Sequence, residues 1–92
     1  MDLGIIELLI EILKISEDAS ILKACLTALF SILAEGVTLT GNVGLHDNPY
    51  FVKLAQCGGM YVIERLQESS NEEVAHAAEK IIKKYASFFN NQ

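Results

Sequence analysis

The sequence predicts an all-α chain of about five stacked helices. Three observations predict it. Apolar residues recur at three- and four-residue steps, the period of a helix face. The breaks between these segments carry capping residues or glycine. Two helix pairs then share one layout, as in architectures that stack a repeated unit. The chain is 92 residues long, enough for one small domain. Its hydrophobic fraction is 51%, more than so short a chain can cover, which predicts an apolar face left for a neighbour.

The first helix is expected from about Leu3 to Ile15. Its polar residues Glu7, Glu11 and Lys14 form one narrow stripe, and aliphatic residues fill nearly all the rest. A surface helix has a single apolar face, so this one must be covered on most sides. It is too short to span a bilayer and lacks a basic leader, so it reads as part of the domain. Asp18 suits the N-cap of the second helix, expected from about Ala19 to Ala34, with Gly36 as its C-cap. Lys23, Thr27, Ser31 and Glu35 recur every four residues and form a slanting polar ridge on it.

Residues 37–47 show no period and contain two glycines, so they read as the one long loop. Asn48-Pro49 starts the third helix, because proline at the first helical position leaves no amide unpaired. That helix runs to about Cys57, and Gly58-Gly59 turns the chain into a fourth from about Met60 to Glu68. Ser70 with Glu73 fits a capping box. The fifth helix is expected to run to about Phe89, on an apolar face of Val74, Ala77, Ala78, Ile81, Ile82, Tyr85 and Phe89. Glu72 and Glu73 at its start and Lys80, Lys83 and Lys84 in its later turns favour the helix dipole. Asn90, Asn91 and Gln92 read as a frayed tail.

Catalysis and metal binding find no support. Cys25 and Cys57 lie far apart and read as free thiols of a reducing compartment. His46 and His76 are the only histidines and match no zinc spacing. Cys57 before Gly58-Gly59 reads as a small side chain at a tight turn rather than a nucleophile paired with His46. That turn lacks the lysine and further glycines of a phosphate loop. No enzyme activity and no cofactor are therefore expected. The net charge of −5 repels phosphate backbones, which argues against nucleic acid as a partner. No membrane partner is expected either.

Residues 5–36 read helix, acidic break, helix, glycine, and residues 59–86 read glycine, helix, polar break, helix. Helix pairs at this spacing mark armadillo and HEAT solenoids. The run Ala55-Gln56-Cys57-Gly58-Gly59-Met60, an apolar helix, then Glu73-Val74 opening a long helix resembles an armadillo repeat. The ordered set Asn48-Pro49-Tyr50, Cys57-Gly58-Gly59-Met60, Ile63-Glu64, Leu66-Gln67-Glu68, Asn71-Glu72-Glu73, Lys80-Ile81-Ile82 and Tyr85 narrows this further. It resembles the C-terminal end of the importin-α family, adaptors that carry nuclear-localisation signals. The resemblance covers nearly the whole chain.

It implies an armadillo-type right-handed helical solenoid fragment. Residues 1–36 would be the last two helices of a penultimate repeat, 37–47 a connecting loop, 48–89 a complete C-terminal repeat and 90–92 a tail. It implies a protein-interaction scaffold that docks the recycling export receptor, nucleoporins or the remaining adaptor repeats, and shuttles between cytoplasm and nucleus. A generic armadillo or HEAT-like scaffold without a transport role is the alternative. The chain also departs from the family. Its cargo signals sit in slots of Trp and Asn one turn apart, and this sequence has no tryptophan. The aligned positions hold Thr27 and Ser31 in the first repeat and Glu79 and Lys83 in the last.

The candidate partner-binding residues are thus Thr27, Ser31, Glu79, Lys80, Lys83 and Lys84. Lys80, Lys83 and Lys84 form the one basic cluster, suited to an acidic partner or to a solvated face. Because an isolated repeat cannot hide its own end, Ile5, Ile6, Leu9, Ile12 and Leu13 are expected to mediate self-association.

Overall fold

The computed structural model describes residues 3–40 and 47–90. They form six helices: α1 Gly4–Ile15, α2 Ala19–Thr40, α3 Pro49–Gln56, α4 Gly59–Leu66, α5 Glu72–Lys84 and α6 Ala86–Asn90. The fold is all-α and of armadillo type.

Capping starts the helices where the chain offers the right side chain. Asp18 Oδ1 accepts from the amides of Ser20 at 2.8 Å and Ile21 at 3.3 Å, and so caps α2. Asn48 Oδ1 accepts from the Tyr50 amide at 2.9 Å, with Pro49 opening α3. The cap of α5 differs from the sequence expectation. It is Asn71, not Ser70: Asn71 Oδ1 accepts from the amides of Glu73 at 2.9 Å and Val74 at 3.2 Å. A capping side chain must sit just before the first helical residue, and α5 begins at Glu72. Between α3 and α4, Gly58 holds φ 78°, a left-handed conformation that a side chain disfavours.

Two further expectations are corrected. Gly36 does not end α2, which continues to Thr40, so residues 37–40 are helical rather than loop. Gly36 is there for closeness. A Cβ on it would lie 2.5 Å from Cγ of the buried Tyr50 ring. The rest of the expected loop up to residue 46 falls outside the described residues. The fifth helix stops at Lys84 and does not run to Phe89. Tyr85 takes φ −116° and ψ 39°, and the chain restarts as α6, which also draws Asn90 out of the expected tail. This break lets Tyr85, Phe88 and Phe89 all turn inward. Phe51 meets the Tyr85 ring at 5.1 Å and the Phe88 ring at 4.9 Å, both edge-on, a favoured aromatic geometry.

The core runs through every layer. Ile6, Ile10 and Leu13 of α1, Leu26, Leu29 and Leu33 of α2, Phe51 and Leu54 of α3, Ile63 of α4, and Val74 and Ile81 of α5 are all fully buried. The α1–α2 pair stacks on the α4–α5 pair, with α3 packed against α1, α2 and α4. Burial also aligns the pairs. Leu22, Leu26, Leu29 and Leu33 of α2 correspond to Val74, Ala78, Ile81 and Tyr85, each at one constant offset along the chain. Residues 19–39 are long and apolar enough to cross a membrane by length and composition. Here that stretch packs against α1, α3 and α5, with about a third of it buried.

The α1 residues expected to mediate self-association divide. Ile6, Leu9 and Leu13 lie inside the chain's own core and present nothing to a neighbour. Ile5 is exposed and Ile12 half-buried, and the exposed side also carries Leu8 and Ile15. A helix apolar nearly all round does not announce which side faces inward.

Candidate functional site: the groove between α2 and α5

Two links bridge α2 and α5 on the solvent side. Lys23 Nζ lies 3.5 Å from Glu73 Oε1, and Lys80 Nζ lies 4.7 Å from the centre of the Phe30 ring. Lys23 and Phe30 are seven residues apart, as are Glu73 and Lys80, so the two helices run parallel and in register. The ion pair is exposed and contributes no more than about 1 kcal/mol. The ammonium over the ring contributes a similar amount, about 0.5–1 kcal/mol. These links orient the groove more than they hold the fold.

The groove has two lobes. One, of about 530 Å³, lies between the helices and is lined by Lys23, Thr27, Glu72, Glu73, His76, Ala77 and Lys80. The other, of about 600 Å³, follows α2 from Ser20 to Ser31 beside Glu73, with Ala24, Thr27, Ala28 and Ser31 as its floor. Small side chains keep the floor open, and acids, amines and one imidazole edge it. Both lobes are open to solvent rather than enclosed cavities of the kind that bury a small molecule.

The structure brings together three of the six candidate residues. Thr27 lines both lobes, Ser31 lines one, and Lys80 closes the inter-helix lobe by lying over Phe30. Glu79, Lys83 and Lys84 line neither lobe. By the alignment of core positions, Glu79 and Lys83 of α5 are the counterparts of Thr27 and Ser31 of α2. Glu79 and Lys83 hold each other at 2.8 Å. The hydrogen bond and charge of Lys83 keep the Glu79 carboxyl below the usual range, and Glu79 raises the Lys83 ammonium in turn. Lys84 stands exposed beside them. Sequence reasoning missed Lys23, Glu72, Glu73, His76 and Ala77 as lining residues of the inter-helix lobe, and Ser20, Ala24 and Ala28 of the other. Lys23 was within reach, since it stands on the same four-residue ridge as Thr27 and Ser31.

Nothing in the groove pairs a nucleophile with a base. Burial pushes the thiols of Cys25 and Cys57 upward, away from the reactive thiolate. The Cys57 thiol donates to the Leu54 carbonyl at 3.4 Å, and His46, its imagined partner, lies outside the described residues. Among the described residues, no three His, Cys, Asp or Glu side chains converge to hold a metal ion.

The family model of the Armadillo/beta-catenin-like repeat matches residues 1–34, and that of the Atypical Arm repeat matches residues 48–91. No curated protein and no solved structure matches the chain.

Proposed function

From the premise that this chain is an armadillo-repeat protein, a scaffold for binding other proteins, we propose that it is the C-terminal part of an importin-α-like adaptor. In this reading it docks the export receptor that recycles the adaptor, or a nucleoporin, and shuttles between cytoplasm and nucleus. The observation that carries it is the parallel α2/α5 face. Thr27, Ser31 and Lys80 meet there in one solvent-facing groove, while Leu22, Leu26, Leu29 and Leu33 of α2 and Val74, Ala78 and Ile81 of α5 are spent on the core.

The same face argues against a cargo role. Thr27 and Ser31 are exposed but too small to wall a slot for a lysine stem, and the Glu79–Lys83 pair fills the equivalent positions on α5 with charge. The resemblance thus supplies the adaptor's tail and not its cargo groove. A generic armadillo scaffold is the second reading, and the absence of tryptophan favours it, since no cargo slot ties the chain to transport.

The test is a pair of titrations of the fluorescently labelled chain, one with a purified export receptor and one with a basic nuclear-localisation peptide. Saturable binding of the receptor with none of the peptide is the expected result. If neither binds, the transport reading falls and the generic scaffold remains.

A further inference from the structure

Charge follows a fixed order along the inter-helix lobe. Glu72 and Glu73 line one end, Thr27, His76 and Ala77 the middle, and Lys80 the other end. Helix geometry sets that order. Positions 72, 76 and 80 of α5, and likewise 73, 77 and 80, follow three- and four-residue steps, so these side chains share one side of the helix. Glu72 and Lys80 are about 12 Å apart along the helix axis.

The chain does not answer all of these charges itself. At the acidic end Lys23 meets Glu73 at 3.5 Å, while Glu72 has no ion-pair partner among the described residues. At the other end Lys80 lies over the Phe30 ring, which orients its amine without neutralising it. Farther along α5, Glu79 answers Lys83 at 2.8 Å, and Lys84 stands exposed one turn past Lys80. On α2, Glu35 lies one turn past Ser31 and lines neither lobe. The lobe thus keeps a surplus negative charge at Glu72 and a surplus positive charge at Lys80, with Thr27 and Ala77 between them.

We propose that the groove selects a partner segment of mixed charge, a basic side chain for Glu72 and an acidic one for Lys80, over a segment charged with one sign. This rests on the reading of the α2/α5 groove as the protein-binding face and names the chemistry that face takes. A wholly basic segment gains at Glu72 but sets like charge against Lys80, and a wholly acidic one fails at the opposite end. The Lys23–Glu73 pair is already satisfied and favours neither sign. The spacing suits an extended chain. Such a chain rises about 3.3 Å per residue and alternates its faces, so side chains four residues apart share a face about 13 Å apart. The layout also gives a second reason against a cargo role, because a run of lysines would meet Lys80 unfavourably.

Amide-resolved NMR titrations at low salt test it with three capped pentapeptides around a common glycine-serine-glycine centre. Their first and fifth positions carry lysine and glutamate, two lysines, or two glutamates. In the wild-type chain, shifts are expected at Thr27, His76 and Ala77. The dissociation constant of the mixed peptide is expected to lie at least about threefold below that of either single-sign peptide. Lys80→Glu makes both ends acidic and moves the preference to the two-lysine peptide. Glu72→Lys makes both ends basic and moves it to the two-glutamate peptide. Circular dichroism confirms that each variant stays helical, and either switch reads the proposal if the other variant fails to fold. Four outcomes each overturn it: equal affinity for the three peptides, no binding of any, shifts centred outside the groove, or a preference that a folded variant leaves unmoved. The receptor titration separates the two readings. A preferred mixed peptide without receptor binding sinks the transport reading and leaves this inference standing, and a bound receptor without peptide preference does the reverse.

Discussion

The side-chain amide of Asn48 donates to the carbonyl oxygen of Gly36 at 3.3 Å, while its own carbonyl caps α3 through the Tyr50 amide. Asn48 is fully buried and ties the start of α3 to the body of α2. Replacing it by alanine removes a cap and strips a buried carbonyl of a donor, a loss of about 2–3 kcal/mol. An aspartate in place of Asn48 would cap as well in an open helix. Here it would face the Gly36 oxygen with a second oxygen, so Asn48→Asp is expected not to restore stability. Urea unfolding of both variants checks this, and an Asn48→Asp protein as stable as wild type would refute it.

Gly36 makes the second prediction a contest of signs. Alanine in a helix interior gains about 1 kcal/mol over glycine. The added Cβ, however, would sit 2.5 Å from the root of the Tyr50 ring, which is buried and cannot swing away cheaply. Overpacking of this kind costs about 1–3 kcal/mol. Gly36→Ala is therefore expected to lower the melting temperature, and Gly36→Ala combined with Tyr50→Ala to show strong coupling between the two sites.

Tyr85 carries the third. Its hydroxyl is buried and lacks a hydrogen-bond partner among the described residues, and burial raises its ionisation above the usual tyrosine range. Tyr85→Phe removes an unsatisfied group while keeping the ring contacts with Phe30 and Phe51. Stability is expected to hold or rise, by up to about 1 kcal/mol. The pH dependence has a definite sign. In the unfolded chain the phenol releases its proton near pH ~10, and in the folded chain it releases it higher. Folding thus binds the proton more tightly, so this contribution to stability is complete below pH ~10 and is lost as pH rises toward the folded value. Melting temperatures measured from roughly pH 8 to 11, on either side of the free phenol's ionisation, should fall less steeply for Tyr85→Phe than for wild type.

Much of the fold was legible because its signals are local. Asp18, Asn48-Pro49 and Gly58-Gly59 announce their own turns, and a four-residue ridge on α2 puts Thr27 and Ser31 on the groove. The errors share a cause, which is that tertiary contacts decided between two local options. A glycine can end a helix or admit a ring, and only Tyr50 decides which at Gly36. The apolar period runs unbroken through Tyr85, so nothing local marks the break that folds Phe88 and Phe89 onto Phe51. On α1, with aliphatic residues almost all round, the inner side is fixed by α2, α3 and α4 and not by α1 itself. The site was half legible for a related reason. Lys80, Lys83 and Lys84 form one cluster by spacing, yet Phe30 draws Lys80 into the groove and Glu79 holds Lys83 outside it.

The basic residues of α5 make the fourth prediction. Lys83 and Lys84 stand at the outer edge of α5, so an acidic receptor surface would meet them first. Reversing both, Lys83→Glu with Lys84→Glu, is expected to weaken receptor binding at least about tenfold at low salt, with less effect at high salt as screening grows. Fluorescence titration at two salt concentrations checks it, and unchanged affinity at low salt would remove these lysines from the interface.

The most direct test of the central claim, that α2 and α5 together form the protein-binding face, is amide-resolved NMR of the labelled chain as purified export receptor is added. The account predicts shifts and broadening concentrated around Thr27 and Ser31 on α2 and Lys80 on α5, spreading to Lys83 and Lys84. Perturbation centred instead on α4 around Tyr61, with the α2/α5 groove unmoved, would contradict it.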